Sequence, residues 1–245
     1  MEQNIQDLIN KFNTIKNMGY VEAVNNDFSG IGLTFEKLLD KEVDNFPFPD
    51  YKNIEIKTKL SYSKTPINLF KLTPEGKEFC EVRRLWEKYG YCRKNNKDNK
   101  CFNGRVFFGK KQAIGLFYYF ELKIDYKEAK IFLYVYNKNL KLIDNNSYWT
   151  FENMENALMR KLKYFALVKA WNTKRLSQNY YKYYRLDIYK MTNFYNFLKL
   201  IEEGKIFVNF SVDIYKNPRK IGRMHDHGTN FSIFEEDLKE LFIHI

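Results

Sequence analysis

Cysteine, histidine and proline are all scarce in this chain of 245 residues, and acidic residues are outnumbered. The three cysteines, Cys80, Cys92 and Cys101, are odd in number and scattered over one lysine- and asparagine-rich stretch. That excludes the disulfide framework of a small secreted domain and fits a reducing compartment. No window approaches the ~20 apolar residues of a membrane span, and no N-terminal run joins basic residues to the apolar core of a signal peptide. A soluble, intracellular protein is expected. "GIG" at Gly30 to Gly32 lacks a preceding strand and the third glycine of a dinucleotide loop, so it reads as a backbone turn. No serine stands in a nucleophile-elbow setting and no cysteine has a histidine near it in sequence, which leaves covalent hydrolase chemistry without support.

What is abundant is positive charge. Lysine and arginine number 41 against 30 acidic residues, a formal charge of +11 and a pI near 9.3. A basic surface attracts nucleic acid by releasing counterions condensed on its phosphates. Lys, Asn, Ile, Phe and Tyr, however, all have AT-rich codons, so composition alone does not decide the partner.

Apolar content is ample for one large domain or two lobes. Ile5, Leu8, Ile9, Phe12 and Ile15 are spaced by three and four and predict a helix over residues 2 to 18. A polar break at 25 to 32 precedes a second helix in "TFEKLLDKE", ended by Pro47 and Pro49. Residues 53 to 60 alternate with period two, and "TPINLFKL" predicts another short strand. Residues 74 to 113 read as polar and irregular, with "RKNNKDNK" as a surface loop. "LFYYFELKID" and "AKIFLYVYN" predict a hairpin, and residues 150 to 162 a helix capped by Thr150 with Glu155 and Arg160 on its wet side. Strands are expected in "KYFALVKAW", in the tyrosine run around 180 to 184, in "KIFVNFSVDIYK" and in "GTNFSIF", with a helix in "TNFYNFLKLIEEG". The pattern is mixed α/β (α+β).

Chemistry concentrates in "PDYKNIEIKTK", residues 49 to 59. On a strand Glu55 and Lys57 share one face while Ile54 and Ile56 anchor the other, and Asp50 lies just upstream. Hard Mg²⁺ takes one or two carboxylates and completes its shell with waters and phosphate oxygens; Asp50, Glu55 and the Ile56 carbonyl can supply that set. Lys57 can neutralise charge on a phosphoryl group or orient an attacking water. Glu36, on the preceding helix, can bond a metal-bound water. A solvated strand face is the bland alternative for a bare E-x-K.

The second cluster is "MHDHGTNF", residues 224 to 231, which holds two of the three histidines. His225 and His227 flank Asp226 too sparsely for a structural zinc site, and three hydrogen-bonding side chains before Gly228 suit readout of base edges. The alternative is a polar turn with a capping aspartate. Arg219, Lys220 and Arg223 just before it are natural phosphate contacts.

These residues, in this order, resemble the MvaI/BcnI family of type II restriction endonucleases. The likeness runs through "GIGLTFEKLLDKEVDNFPFPDYKNIEIKT", "INLFKLTP", "YWTFENMENALMRKLKYFALV" and "HDHGTNF". The resemblance implies a MutH-like PD-(D/E)xK nuclease fold, with a catalytic lobe including residues 30 to 72 and a recognition lobe including 205 to 234, around a DNA-binding cleft. It implies a monomer that cuts double-stranded DNA at a CC(N)GG-type five-base-pair site, CCWGG favoured, to 5′-phosphate ends with a one-nucleotide 5′ stagger. Asp50 and Glu55 would bind Mg²⁺, Lys57 would be the catalytic lysine, Glu36 the supporting carboxylate, and Lys71 would reach the DNA beside His225, Asp226 and His227. A cognate DNA methyltransferase in the same bacterial cytoplasm, without a stable complex, belongs to that picture. The chain departs from the family pattern at Ser232, where an arginine is expected. A MutH-like nicking repair endonuclease and a catalytically silent DNA-binding relative are the alternatives.

Overall fold

The computed structural model describes residues 2–40, 49–93, 96–215, 219 and 222–245. They divide into two compact units, one made of residues 1–65, 159–192 and 241–245, the other of 66–158 and 193–240. The architecture is mixed α+β.

The first unit is a five-stranded sheet with two helices on one face. Its strand order is Val21–Glu22, Gln178–Met191, Tyr164–Arg175, Glu55–Leu60, and Phe242–His244 adds to Gln178–Met191. Glu55–Leu60 runs parallel to Tyr164–Arg175, with Glu55 opposite Phe165 and Lys57 opposite Leu167; the other pairings are antiparallel. Helix Glu2–Asn17 has the predicted apolar stripe and buries Leu8, Phe12 and Ile15 against Ile56, Ala166, Val168 and Ala170 of the sheet. Each such side chain, fully withdrawn from water, stabilises the fold by about 1.5–3 kcal/mol. The helix expected from Thr34 begins earlier, at Gly30, and runs to Leu38. "GIG" is therefore the first helical turn and not a loop. Gly30 must be bare there, because a Cβ would stand 2.5 Å from the Asn25 carbonyl oxygen. The helix stops before the prolines, where Asp40 adopts φ 58°; Pro47 lies outside the described residues.

The second unit holds two sheets. One has the order Ile67–Lys71, Asn230–Ile233, Ile206–Ile214, Asn96–Val106, Tyr91–Arg93, with Met224–Asp226 alongside Ile206–Ile214. The other is a meander of Gln112–Ile114, Tyr118–Asp125, Lys130–Asn137 and Leu142–Thr150, in which the predicted hairpin is the central pair. Phenylalanines fill its core: Phe70 stacks on Phe231 with centroids 5.0 Å apart, and Trp149 meets Phe231 edge-on at 5.5 Å. Helix Phe194–Glu202 is capped by Asn193, whose side chain accepts from the Asn196 amide at 2.8 Å. Thr150 Oγ1 accepts from the Asn153 amide at 3.4 Å at the start of helix Phe151–Leu162, as the sequence predicted.

Residues 74–113 are not the irregular stretch expected. They include helix Glu81–Tyr89 and the long strand Asn96–Val106, whose Cys101, Phe102 and Val106 are fully buried. Where a surface loop was expected, Tyr91–Arg93 pairs with Asn96–Val106, with Cys92 opposite Lys100 and Arg93 opposite Asn96. The helix is fixed by a buried ion network. Arg84 donates from Nε to Glu81 at 2.7 Å, from Nη1 to Asp144, and from Nη2 to Ser147 Oγ at 2.8 Å. The Tyr89 hydroxyl also donates to Asp144 at 2.6 Å. No helix among the described residues is long and apolar enough to cross a membrane.

Candidate functional site

Two short features bring the acidic cluster together. Tyr51 and Ile54 exchange backbone hydrogen bonds of 2.9 and 2.7 Å around a turn in which Lys52 and Asn53 have φ of 43° and 75°. The turn returns Asp50 to the start of strand Glu55–Leu60, where its Oδ2 accepts from the Ile56 amide at 2.9 Å. Tyr51 anchors the turn by donating to Asp7 Oδ2, and burial together with that carboxylate pushes its hydroxyl up to about 12.

Glu55 sits at the head of the strand with 2% of its surface exposed. Its Oε1 accepts from Lys57 Nζ at 2.6 Å and from Lys161 Nζ at 3.4 Å. Its Oε2 is buried and has no hydrogen-bond partner. A buried carboxylate oxygen left unpaired costs free energy that a cation would recover. The donor set suits a hard divalent ion: Asp50 and Glu55 supply carboxylate oxygens beside the backbone of Ile56, and waters or phosphate oxygens complete such shells. Among the described residues no group of three or more His, Cys, Asp or Glu side chains gathers as a metal site.

The two lysines are about a quarter exposed, so their ammonium groups touch both Glu55 and solvent. Lys161 escaped the sequence reading, which singled out Glu155 and Arg160 of the same helix. It reaches Glu55 because helix Phe151–Leu162 leads directly into Tyr164–Arg175, the strand paired with Glu55–Leu60. Only that parallel pairing across about a hundred residues of sequence could have revealed it. Glu36 lies on helix Gly30–Leu38, half-buried, its carboxylate next to Gly32, which in turn abuts the Thr58 hydroxyl.

The second cluster lies wholly in the other unit. Strand Met224–Asp226 pairs with Ile206–Ile214, placing His225 opposite Asp213. His225 stacks on Tyr215 with centroids 4.1 Å apart and planes 13° off parallel, and His227 packs on His225 at 4.1 Å. His227 Nε2 is 3.9 Å from Asp213 Oδ2, and its side chain is 44% exposed. Asp226 Oδ1 accepts from the Gly228 amide at 2.7 Å, so this carboxylate also shapes the turn. Gly228 has φ +106°, and its α-carbon is covered by Lys71: a Cβ there would come within 2.7 Å of Lys71 Cδ. Lys71 is thus held against Gly228, the residue after His227, by contact and by its strand's pairing opposite Asn230. Arg219 and Arg223 are exposed nearby in sequence; Lys220 lies outside the described residues. Ser232 is fully buried and its Oγ meets Asn68 Oδ1 at 2.9 Å, a sheet-internal position. The three cysteines are free thiols.

The family model described as the MvaI/BcnI restriction endonuclease family matches residues 9–242. A solved structure, the restriction endonuclease MvaI–cognate DNA substrate complex, is similar to this chain with a TM-score of 0.91 at 30% identity, covering 100% of this chain and 98% of that one. Restriction endonuclease MvaI in the absence of DNA is similar with a TM-score of 0.61, at the same identity and coverage. No curated protein sequence matches the chain.

Proposed function

Since the chain belongs to the MvaI/BcnI restriction endonuclease family and is a type II site-specific nuclease acting on DNA, we propose that it cleaves both strands of a CC(N)GG-type five-base-pair site, CCWGG favoured, in a Mg²⁺-dependent reaction. The products are 5′-phosphate and 3′-hydroxyl ends with a one-nucleotide 5′ stagger. The observation that carries the chemistry is the buried, unpaired Oε2 of Glu55, on a carboxylate whose other oxygen accepts from Lys57 and Lys161.

Asp50, Glu55 and the Ile56 carbonyl would hold the ion. When bound, Mg²⁺ supplies Lewis-acid polarisation of the phosphate and lowers the pKa of a coordinated water. The chain does the rest. Asp50 accepts from the Ile56 amide, which fixes the direction of its carboxylate. Lys57 sets its ammonium against Glu55 and toward solvent, where it orients the attacking water and offsets charge building on the phosphate. Water adds to phosphorus in line as the bond to the 3′-oxygen breaks. Lys161 sets a second positive charge against Glu55 Oε1, which holds that carboxylate in place. Glu36 supports the site from the neighbouring helix.

His225, Asp226 and His227, with Lys71, read base edges, and Arg219, Lys220 and Arg223 contact phosphates. The protein works as a monomer in the cytoplasm and cuts the two strands in succession, so a nicked intermediate accumulates; a cognate methyltransferase protects host DNA without binding the nuclease. The test is digestion of a sequenced plasmid by purified protein with Mg²⁺, followed by mapping of fragment ends. Discrete double-strand cuts at one five-base-pair sequence support the reading; nicking only in the presence of partner proteins, or binding without cutting, replaces it with one of the two alternatives.

A further inference from the structure

The sheet face that carries Glu55 and Lys57 does not end at the active site. Lys57 lies opposite Leu167 and Lys59 opposite Lys169, so residues 167, 169, 171, 173 and 175 of the strand Tyr164–Arg175 share one face by alternation. The irregularity in this hairpin places the extra residue, Tyr184, on the other strand, and leaves that alternation intact. Beyond the active site the face becomes a ladder of rings and cations. Trp171 stacks on Tyr184 with centroids 4.2 Å apart and planes 9° off parallel. Lys182, directly opposite Trp171, holds its ammonium 5.7 Å from the indole. Arg175 lies 5.2 Å over Tyr180. Trp171 is 43% exposed, although tryptophan is on average a well-buried residue.

Acidic groups are few here. Asp187 is paired with Arg185 Nε at 2.7 Å, and Glu22 stands opposite Tyr180 at the outer end. Beyond Arg185, which offsets Asp187, stand Lys169, Lys182 and Arg175. A duplex phosphate backbone is the partner whose charge fits, because every cation laid on it releases a condensed counterion. From Trp171 to Arg175 the strand advances about 13 Å, which matches roughly four base-pair steps.

We propose that the outer half of this hairpin is a binding surface for the backbone of duplex DNA flanking the cleaved site, with Lys182 and Arg175 as phosphate contacts held in position by the Trp171–Tyr184 and Tyr180 rings. The proposal rests on the endonuclease reading above. It makes affinity depend on flank length, without any sequence preference in the flanks.

The test uses the full chain and two duplexes carrying the mapped cleavage site, with flanks of about three and about twelve base pairs, the longer exceeding the reach of the hairpin. Wild-type protein should show a lower KM on the long duplex. In the double variant Lys182→Ala, Arg175→Ala, KM on the long duplex rises about tenfold, kcat is unchanged, the short duplex is cut as before, and the salt dependence of binding falls by about two phosphate contacts. The charge-keeping variants Lys182→Arg and Arg175→Lys retain the advantage of long flanks. Equal behaviour of variant and wild type on both duplexes overturns the proposal while leaving the nuclease reading intact. So does an equal loss on both duplexes with a lowered melting temperature, which would make the ladder a packing device. Wild-type protein that cuts neither duplex removes the endonuclease reading and this inference with it.

Discussion

Replacing Arg84 by methionine keeps an unbranched apolar stem and removes the guanidinium, with its charge and its donors. The side chain is 14% exposed, and its guanidinium serves Glu81 and Asp144, each about 1% exposed as side chains. After the change Glu81 keeps the Ser147 hydroxyl at 2.8 Å and the Glu78 amide at 3.0 Å, and Asp144 keeps Tyr89 and Asn146. Both carboxylates, however, stay buried without their main counter-charge; Lys88, 3.6 Å from Asp144, is mostly solvated. Breaking a buried pair in this way costs about 3–5 kcal/mol. For a chain of this size that lowers the melting temperature by about 6–20 °C. Urea melts of the wild type, Arg84→Met and Arg84→Lys, followed by tryptophan fluorescence, read the difference. Lysine restores charge but not the fork, so it should recover part of the loss. Burial raises the Asp144 carboxyl, but hydrogen bonds from Arg84, Tyr89 and Asn146 outweigh it and hold the group well below its ordinary 3.8. A carboxylate depressed in the fold adds stability that is complete above that value and lost as pH falls toward the lower, folded one. The wild type therefore loses stability below about pH 4, and Arg84→Met loses less over the same range. A destabilisation under about 1 kcal/mol, with an unchanged acid limb, would refute the reasoning.

Three further outcomes follow from the two clusters. Lys57→Ala should cut cleavage by at least about a thousandfold, with specific binding in Ca²⁺ nearly intact; loss of both together would make the lysine structural. His225→Ala should weaken binding to the mapped site by about 1–3 kcal/mol and leave nonspecific affinity and its salt slope unchanged, whereas equal loss on all sequences would demote the cluster to backbone contact. Gly228→Ala forces a Cβ into Lys71 at φ +106°, a strain of about 1–3 kcal/mol, and should reduce selectivity for the site more than turnover on it; unaltered selectivity would show that the turn does not set the position of Lys71.

How much of this was legible depended on whether the signal was local. The period-two alternation from Ile54 to Leu60 announced the strand, and the face shared by Glu55 and Lys57 with it. Asp50 was readable as a neighbour, but its bond to the Ile56 amide depends on the αL turn at Lys52 and Asn53, which neither residue type signals strongly. Lys161 was illegible, because nothing in "NALMRKL" says that its helix feeds a strand parallel to residues 55–60. Helix Glu81–Tyr89 and strand Asn96–Val106 were lost under a lysine- and asparagine-rich composition. Their burial rests on Val82, Leu85 and Tyr89 and on Cys101, Phe102 and Val106, which are diluted in sequence by the charged and polar residues between them. Helix Gly30–Leu38 was clipped for a similar reason, since two glycines count against a helix until the close approach of Asn25 is seen.

The parallel pairing of Glu55–Leu60 with Tyr164–Arg175 also fixes when the nuclease can first act. A ribosome adding about 5–20 residues per second finishes residues 55–60 long before their partner exists, with roughly 6–22 seconds of synthesis between them. Until Lys161 and the following strand emerge, the Glu55 strand has no ladder to join and the carboxylate has no second lysine. Phe242–His244 then closes on Tyr189 and its neighbours. A chain ending before about residue 175 therefore lacks the partner strand of Glu55–Leu60, and under the proposed site it should not cleave DNA.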